Sequence, residues 1–337
     1  MKISICIPTY NRAAHLRNCL QSIISIKSRS SVEFQVCVSD NCSTDETESV
    51  VAAAQNSIAI KYRKNERNLG IPRNFLNVVE MADGEFAWLI GDDDLLVPSA
   101  LEELSALIDK YPRVDFFYVN SFHLTTEYVF SFPQPFDTGN LPKDMTPFSS
   151  WPHSGEMKFL DLVDPKKSFD FLGGMYLAVF RREKWLRNAA KLDESAVSDP
   201  RTFSHFDNTF PHVKIFANAF ANSEAYFSAR PLSVCLTGAR EWAPMYPFVR
   251  SVRLVQALEE YRKNGLSYFR YLACKNYALR TFIPDLAFMF VHKDRSGFAY
   301  IKPLRLIIGN CLYPNFYFSV LYYVVRKLRQ FANVFRR

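Results

Sequence analysis

The chain has 337 residues, of which 48% are hydrophobic and 22% charged, a composition that is ordinary for a globular protein and long enough for two domains or one large domain with additions. Its seven scattered cysteines form no CxxC pair, which argues against a disulfide framework and for a reducing compartment. The start, MKISICIPTYNR, has too short an apolar run for a secretory signal.

The first 110 residues alternate between apolar strands and amphipathic helices. Strands are predicted at KISICI, FQVCVSD, IAIKYRKN and FAWLI, and helices at AAHLRNCLQSII, DETESVVAAAQ, NFLNVVEMA and SALEELSALIDKY. Ser43 and Glu46 have the spacing of a capping box for the second helix. Two cysteines, Cys6 and Cys37, lie inside strand patterns and are predicted to pack as small core residues. The succession of elements predicts an α/β fold with a mostly parallel, Rossmann-like sheet flanked by helices.

Each of these strands is followed by a polar cluster: PTYNR, SDNCSTD, NERNLG and GDDD. Ligands of parallel sheets bind beyond the carboxyl ends of the strands, so the four clusters are expected to meet in one crevice. No GxGxxG follows the first strand, and no GxxxxGK[ST] occurs in the chain. A phosphate group bound in this crevice is therefore not expected to be held by a glycine-rich loop.

Three consecutive carboxylates, Asp92, Asp93 and Asp94, lie between an apolar strand and two leucines. Carboxylates packed in apolar surroundings need a compensating positive charge, and a divalent cation that also binds a diphosphate would supply it. The alternative is a solvated acidic turn. Asp40, after the second strand, has two readings of equal weight: it accepts an N–H of a base edge, or it closes an Asx-turn.

The segments SICIPTYNR, VCVSDNCSTDET, NERNLGIPRNF and WLIGDDDLL, in this order and spacing, resemble the nucleotide-sugar-binding half of a family 2 glycosyltransferase of the GT-A fold. The resemblance implies inverting transfer from a nucleotide-diphosphate sugar, with Mn²⁺ or Mg²⁺ as cofactor. It implies donor contacts from Pro8, Thr9, Tyr10, Asn11, Arg12, Asp40, Asn68, Gly70, Arg73, Asp92 and Asp93. The metal would be held by Asp92 and Asp94, or by a neighbouring pair that includes Asp93.

The segment FLGGMYLAVFRREKW resembles the acceptor-side element of this family, a glycine turn followed by a strand and an Arg-rich helix start. The Glu-Asp that usually supplies the general base is missing from SHFDNTFPHVKIF. Asp207 and His212 are the candidates, and Asp199 and His205 are weaker choices. The alternatives are a helix cap for Asp207 and a packing role for His212, which is predicted in the first turn of a helix. Trp151 and Trp242 are expected in loops, where they either stack on a sugar or simply pack.

The chain resembles abequosyltransferase-like enzymes of O-antigen synthesis in its segments FPHV and NLGIPRNFL and in its length. This resemblance implies a glycan or polyprenyl-diphosphate-linked oligosaccharide as acceptor, at the cytoplasmic face of the bacterial membrane. We expect a donor-binding half at 1–110, an acceptor-binding half at 111–244 and a basic, aromatic helical extension at 245–337.

The formal net charge of +7 arises in this extension, where residues 245–337 carry 16 Lys and Arg against 4 Asp and Glu. It contains LIIGNCLYPNFYFSVLYYVV, 306–325, 20 residues without a formal charge. Because Gly309, Asn310, Pro314 and Asn315 interrupt the run, we predict peripheral contact with an anionic membrane, with a folded cap and a true span as alternatives.

Three other protein classes compete with the glycosyltransferase interpretation. A nucleic-acid-binding protein would explain the basic tail but not four polar loops at four strand ends, so no nucleic acid is expected as partner. A sugar nucleotidyltransferase normally begins with a glycine- and arginine-rich loop, which PTYNRAAHL is not. A catalytically inactive, sugar-binding relative stays open because the Glu-Asp is absent.

Overall fold

Seven consecutive buried residues, Ile3–Thr9, form the strand around which the first half of the chain is built. The computed structural model describes residues 2–238 and 242–334. In these residues a nine-stranded sheet contains β1 (Ile3–Thr9), β2 (Phe34–Asp40), β3 (Ile60–Lys64), β4 (Phe86–Leu89), β5 (Leu95–Leu96), β6 (Phe116–Thr125), β7 (Gly155–Lys158), β8 (Ala178–Arg181) and β9 (Glu224–Thr237). The cysteines of β1 and β2, Cys6 and Cys37, are register partners with no exposed surface, as predicted.

The strand order is β3-β2-β1-β4-β8-β6-β9-β5, and β7 pairs with β9. The first four strands are mutually parallel, whereas β8 runs antiparallel to both β4 and β6. The long strands β6 and β9 are parallel neighbours with a register shift at Asn120. The four strands predicted in the first 90 residues are confirmed. The carboxyl ends of β1, β2 and β3 are level with one another, since Thr9 pairs with Asp40 and Asp40 with Lys64, whereas β4 ends opposite Cys6.

Helices cover the sheet and continue beyond it. They are α1 (Ala13–Lys27), α2 (Thr47–Gln55), α3 (Ile71–Met81), α4 (Ala100–Lys110), α5 (Thr126–Phe130), α6 (Arg182–Ala189), α7 (Glu194–Val197), α8 (Phe206–Thr209), α9 (Pro211–Phe220), α10 (Tyr246–Phe248), α11 (Leu254–Lys263), α12 (Tyr268–Ala278), α13 (Phe282–Val291), α14 (Pro303–Asn310) and α15 (Pro314–Val334). A π-helical stretch, Val249–Arg253, joins α10 to α11. The predicted strand and Arg-rich helix start after the glycine turn are confirmed as β8 and α6.

The capping box predicted for α2 is wrong. The helix begins at Thr47, and no side chain caps it from Glu46. The Ser43 hydroxyl instead accepts the Asn11 backbone N–H at 2.8 Å. Asp45 accepts the N–H groups of Thr47 and of Ala13, at 3.1 and 2.9 Å. This one carboxylate therefore joins the starts of α1 and α2, and it fixes the loops after β1 and β2 against each other.

The segment with the three aspartates is anchored on both sides. It follows β4 in the middle of the sheet and leads directly into β5, which pairs antiparallel with β9 through Leu95 and Val234. The short β5 also contacts α1, since the Leu96 N–H donates to the Ser22 hydroxyl at 3.1 Å. The aspartate loop is thus held by strands from both halves of the sheet.

The C-terminal helices pack against one another and against the sheet domain. Phe282 at the start of α13 packs on Phe316 of α15, with 5.4 Å between ring centroids, and the Ser319 hydroxyl accepts the Ile283 N–H at 3.2 Å. The uncharged run 306–325 is divided between α14 and α15. Among the described residues, no helix is both long and apolar enough to cross a bilayer.

Candidate functional site

A cleft of about 530 Å³ opens at the carboxyl ends of β1 and β4. From the predicted donor loops, its wall contains Pro8, Thr9, Tyr10, Arg12, Asp92, Asp93 and Asp94. Tyr10 is 43% exposed, so its ring is available to a planar ligand. The opposite wall comes from the 169–176 loop, from the start of α9 and from Trp242. Strand ends that are distant in the sequence therefore converge on one site, as the sequence predicted for parallel strands.

The three aspartates are buried and have different partners. Asp92 accepts the Thr9 hydroxyl at 2.8 Å and lies 3.4 Å from the Arg12 guanidinium, which also contacts Asp93 at 3.2 Å. The Asp94 carboxylate accepts the Gly91 N–H at 2.7 Å. Burial raises the pKa of Asp92 to about 7, and Asp93 contributes to the rise, whereas Arg12 opposes it. A cationic side chain, Arg12, thus lies where the sequence predicted a positive charge.

The donor set suits a divalent cation that shares its coordination with a substrate. Within 2–238 and 242–334, no three His, Cys, Asp or Glu side chains form a complete metal cage. Mg²⁺ is commonly bound by one or two carboxylates and completes its shell with phosphate oxygens and water. Asp93 and Asp94 crowd Gly91, because a Cβ at that glycine would lie 2.7 Å from Asp93 Oδ1 and 3.0 Å from Asp94 Oδ2. Two carboxylate oxygens therefore lie close to the Gly91 backbone in the wall of the cleft.

The loop after β2 has a supporting position. Asp40 is fully buried, and it accepts the Ser43 N–H and the Tyr62 hydroxyl, both at 2.8 Å. The Asp40 carboxylate therefore closes the turn after β2 by accepting the N–H three residues further along, and Asp40 is not among the described residues of the cleft wall. Asn11 has a left-handed φ of 52° and accepts the Thr44 N–H at 2.8 Å, so it shapes the loop from outside the wall.

Three residues predicted from the NERNLGIPR segment, Asn68, Gly70 and Arg73, are likewise absent from the described cleft wall. The Asn68 amide oxygen accepts the Gly70 N–H and the Asn41 amide, at 2.9 and 2.7 Å. Gly70 has a φ of 85°, which a residue with a Cβ rarely adopts, and it precedes α3. Arg73 forms an ion pair with the exposed Glu194.

Two asparagines that the sequence analysis did not single out, Asn41 and Asn74, line the cleft. Asn74 accepts the Ser39 hydroxyl at 2.7 Å and donates to the Ser39 and Thr9 carbonyls at 2.9 and 3.3 Å. It therefore joins the ends of β1 and β2 from the first turn of α3. The sequence could have indicated this role, because Asn74 follows Gly70 closely at the predicted start of a helix.

The two candidate bases lie in different surroundings. Asp207 is buried in α8, where it accepts the Lys214 ammonium at 2.6 Å and the Asp193 N–H at 2.7 Å, and it is not in the described cleft wall. His212 does line the cleft, in the first turn of α9 as predicted. Its Nε2 lies 3.0 Å from the Gly173 carbonyl, and burial lowers its pKa to about 4.

The weaker candidates, Asp199 and His205, pair with each other at 3.1 Å, and Asp199 also binds Arg201. Neither of them is in the described wall of the cleft. Trp242 lines the cleft and packs edge-on against Phe203, at 5.2 Å between centroids. Trp151 lies instead in a neighbouring pocket.

An acidic residue that the sequence analysis missed, Asp170, lines the cleft. It accepts the Ser168 hydroxyl and the Gly174 N–H, both at 2.8 Å, and burial raises the pKa of its carboxyl. Its neighbours Phe171 and Leu172 have left-handed φ values of 52° and 66°. Strained backbone of this kind concentrates at functional sites, and here it turns the chain so that the Gly174 N–H reaches the carboxylate.

The family comparison covers the donor half and beyond. The family model described as Glycosyl transferase family 2 matches residues 4–175, just over half of the chain. The abequosyltransferase RfbV of Salmonella typhimurium is 29% identical over 249 residues, which are 70% of this chain and 66% of that relative. A GalNAc(5)-diNAcBac-PP-undecaprenol beta-1,3-glucosyltransferase of Campylobacter jejuni is 36% identical over 105 residues, which are 31% of this chain and 33% of that relative.

Solved structures have the same fold. The crystal structure of residues 1–349 of TarS from S. aureus matches with a TM-score of 0.55 at 17% identity, over 89% of this chain and 74% of that one. The same TarS segment in complex with UDP-GlcNAc matches with a TM-score of 0.51 at 16% identity, over 85% of this chain and 81% of that one. These structural matches confirm the predicted GT-A fold. The family model matches the segment that contains the strand-end loops of the cleft. The chain therefore belongs to glycosyl transferase family 2.

Proposed function

We propose that the cleft binds a nucleotide-diphosphate sugar and that the protein transfers the sugar, with inversion, to a hydroxyl group of a glycan or polyprenyl-diphosphate-linked oligosaccharide. The observation that carries the proposal is the convergence of Thr9, Tyr10 and Arg12 with three buried carboxylates on one cleft wall. Family membership supports a nucleotide sugar as donor, as does the UDP-GlcNAc complex of the structurally similar TarS. The relative RfbV supports bacterial surface polysaccharide as the product class.

The donor contacts follow from the wall of the cleft. We assign the base and ribose to Pro8, Thr9 and Tyr10, where the half-exposed Tyr10 ring offers a stacking surface. Asn11, Asp40, Asn68, Gly70 and Arg73 then shape the loops around the donor rather than form the wall. Asp92 and Asp94, with Asp93 beside them, would hold Mn²⁺ or Mg²⁺. Such an ion would stabilise the negative charge that develops on the departing diphosphate.

Asp170 is the proposed general base. Inverting transfer needs one group that takes the proton of the acceptor hydroxyl while its oxygen attacks the anomeric carbon and the bond to the diphosphate breaks. The Asp170 carboxylate lines the cleft, is held by Ser168 and Gly174, and has free acceptor capacity on both oxygens. Burial raises its pKa, which makes it a stronger base than an ordinary carboxylate. Asp207 is bound to Lys214, and the pKa of about 4 makes His212 a weak base.

The base assignment is tested with Asp170→Asn, Asp207→Asn and His212→Gln. Removal of the base should lower transfer by at least about 100-fold while nucleotide-sugar binding stays near that of the wild type. We expect this only for Asp170→Asn. A large loss of transfer with intact donor binding in Asp207→Asn or His212→Gln would overturn the assignment.

The proposed activity is tested with a panel of nucleotide sugars and Mn²⁺ or Mg²⁺, by measuring slow donor hydrolysis and then transfer. Asp94→Asn should abolish turnover and weaken metal-dependent nucleotide binding, and EDTA should stop the wild-type reaction. Asp83→Asn, which changes an exposed carboxylate that pairs with Lys61 outside the cleft, is the matched control and should behave as wild type.

Full activity in EDTA would contradict the metal assignment. Donor binding without any turnover would favour an inactive sugar-binding relative, and release of diphosphate from sugar phosphate and nucleotide would favour a nucleotidyltransferase.

We further propose that the protein acts at the cytoplasmic face of the bacterial membrane through α14 and α15. Several large apolar side chains of this region are at least half exposed: Leu304, Ile308, Leu312, Tyr317, Phe318, Leu321 and Leu328. The exposed cations Lys302, Arg305 and Lys327 lie among them. Aromatic rings beside cations suit the headgroup layer of an anionic membrane.

A further inference from the structure

A second pocket of about 480 Å³ adjoins the cleft. The two share the rings of His123, Phe148 and Phe169, which form a continuous aromatic wall. His123 stacks on Phe148 with 3.4 Å between centroids, and Phe148 stacks on Phe169 at 5.6 Å. Because Phe169 precedes Asp170 in the chain, a molecule that fills the second pocket reaches the cleft beside the proposed base.

The second pocket is cationic. Its wall contains Lys166, Lys167 and Arg280 together with Trp151, Tyr277 and several small residues, and none of its described lining residues is acidic. The Lys167 ammonium lies 5.0 Å from the centre of the Trp151 ring and 3.6 Å from the Asp164 carboxylate. The side chain of Lys166 is exposed to solvent. A pocket with three cations and no acid in its wall attracts an anion.

Arg280 is the most informative of these cations. Its guanidinium packs on the Tyr277 ring at 3.7 Å, and within the described part of the chain no carboxylate lies within salt-bridge distance of it. The neighbouring Arg250, by contrast, is paired with Asp285. Burial lowers the pKa of Arg280, and the positive charge of Arg250 lowers it further. A half-buried guanidinium beside a second arginine is stabilised by an anion, and its planar fork matches a phosphate group.

We propose that this second pocket binds the phosphate or diphosphate ester of the acceptor, with Arg280 and Lys166 as its principal ligands and the acceptor glycan extending along the aromatic wall to Asp170. The identity of the phosphate as part of an acceptor rests on the proposed function. The position fits a lipid-linked acceptor, because Arg280 lies between α12 and α13, which pack against the exposed aromatic helix α15. The ester would thus lie between the membrane and the glycan.

The test measures binding of geranyl diphosphate in EDTA, where no metal can hold a diphosphate at the aspartates. Wild type should bind it at least tenfold more tightly than geraniol, which lacks the phosphates. Lys166→Gln should weaken binding several-fold, and the double variant Lys166→Gln/Arg280→Gln at least tenfold. Arg262→Gln is the matched control, since Arg262 also lies over a ring, Tyr268, at 5.7 Å but outside the pocket. It should bind as wild type.

Other outcomes overturn the proposal. Equal affinity of wild type and the double variant would show that the pocket does not hold the ester. Binding of inorganic phosphate as tight as that of geranyl diphosphate would identify a free-phosphate site. Flotation with phosphatidylglycerol vesicles should be unchanged in both variants, and its loss would identify a lipid headgroup as the ligand. Lys166 is exposed, so the single variant keeps the test valid if the double variant unfolds. Because the assay contains neither metal nor donor, its result is readable even if the proposed transfer fails.

Discussion

Arg12 lies beside Asp92 and Asp93, close to the site that we propose for the metal ion. Its guanidinium lies 3.4 Å from one carboxylate and 3.2 Å from the other, so it offsets part of their negative charge. A divalent cation that enters the same space meets this positive charge. Under the proposed function, the side chain would therefore compete with the metal in the free protein and would become available to the diphosphate once the metal is bound.

We predict that Arg12→Gln tightens Mn²⁺ binding to the nucleotide-free protein by about tenfold, which corresponds to the removal of about 1.4 kcal/mol of charge repulsion. Calorimetric titration at pH 8 measures the change. Arg17→Gln is the control, since Arg17 lies one turn further along α1 and pairs with Glu46. An unchanged affinity in Arg12→Gln would show that guanidinium and metal occupy separate places.

His212 makes the stability of the protein depend on pH. Its pKa is lowered to about 4 because the ring is buried, so the fold holds the neutral form, whereas the unfolded chain binds a proton near the ordinary value of about 6.5. The stabilisation is therefore complete above pH 6.5 and is lost as the pH falls toward 4. In total it amounts to about 3 kcal/mol.

We predict that His212→Gln, which keeps a donor for the Gly173 carbonyl, removes most of this dependence. Urea denaturation at pH 7.5 and pH 4.5 should show a fall in unfolding free energy that is smaller in the variant, by about 2 to 3 kcal/mol. Parallel pH profiles for variant and wild type would mean that other groups cause the acid sensitivity.

At the scale of elements, the segment from Asp170 to Gly174 is the least regular and the most constrained. Two left-handed residues are followed by two glycines, and each glycine has a reason. A Cβ at Gly173 would lie 3.0 Å from the Asp170 carbonyl, and one at Gly174 would lie 3.0 Å from Asp170 Oδ2. The glycine pair therefore lets the backbone close around the carboxylate.

We predict that Gly174→Ala lowers transfer by about tenfold or more with little change in donor binding, because displacement of a positioned group by a fraction of an ångström weakens catalysis strongly. Gly155→Ala is the control, since a Cβ there meets nothing within 4 Å. Steady-state kinetics and nucleotide binding separate the two effects. If both variants retain wild-type transfer, the loop does not position the base.

Much of the first half could be predicted from sequence, because each apolar run there is one strand and each polar cluster follows it directly. The role of Asp170 could not be predicted in the same way. It faces the cleft only because β8 inserts between β4 and β6, which is a non-local arrangement. The family resemblance instead predicted the general base within residues 199–212, where the Glu-Asp of other members usually lies. There Lys214, seven residues after Asp207 and in the next helix, binds the carboxylate, and nothing in the local pattern indicates which way that side chain points.

The whole molecule has two unlike surfaces. The sheet domain exposes few of its large apolar residues, whereas α14 and α15 expose many beside cations, in the part of the chain that carries the net positive charge. A contiguous exposed apolar surface of this kind marks an interaction site. The cationic second pocket is lined in part by Tyr277 and Arg280 of the C-terminal region. Membrane attachment and acceptor binding would therefore involve the same part of the chain.

We predict that the full-length protein floats with anionic liposomes at low salt and that high salt releases part of it, since both apolar insertion and charge attraction contribute. Phe318→Ser/Tyr322→Ser, on one face of α15, should float markedly less. Phe130→Ser, an exposed ring of the sheet domain, is the control. Wild-type protein that stays at the bottom with anionic lipid at low salt would identify the region as a folded cap.

The pairing of β5 with β9 has a consequence for synthesis on the ribosome. Strands β1 to β4 lie close together in the chain and can pair soon after they emerge, but Leu95 and Leu96 find their partners only at Val234 and Ser233. Until that distant strand arrives, β5 on the far side of the aspartate loop has its contact with α1 but no strand partner, and three like charges repel one another. The growing chain therefore acquires its sheet early and its capacity to bind a nucleotide late. A ribosome stalled before residue 224 should display a partly formed sheet that does not retain the donor.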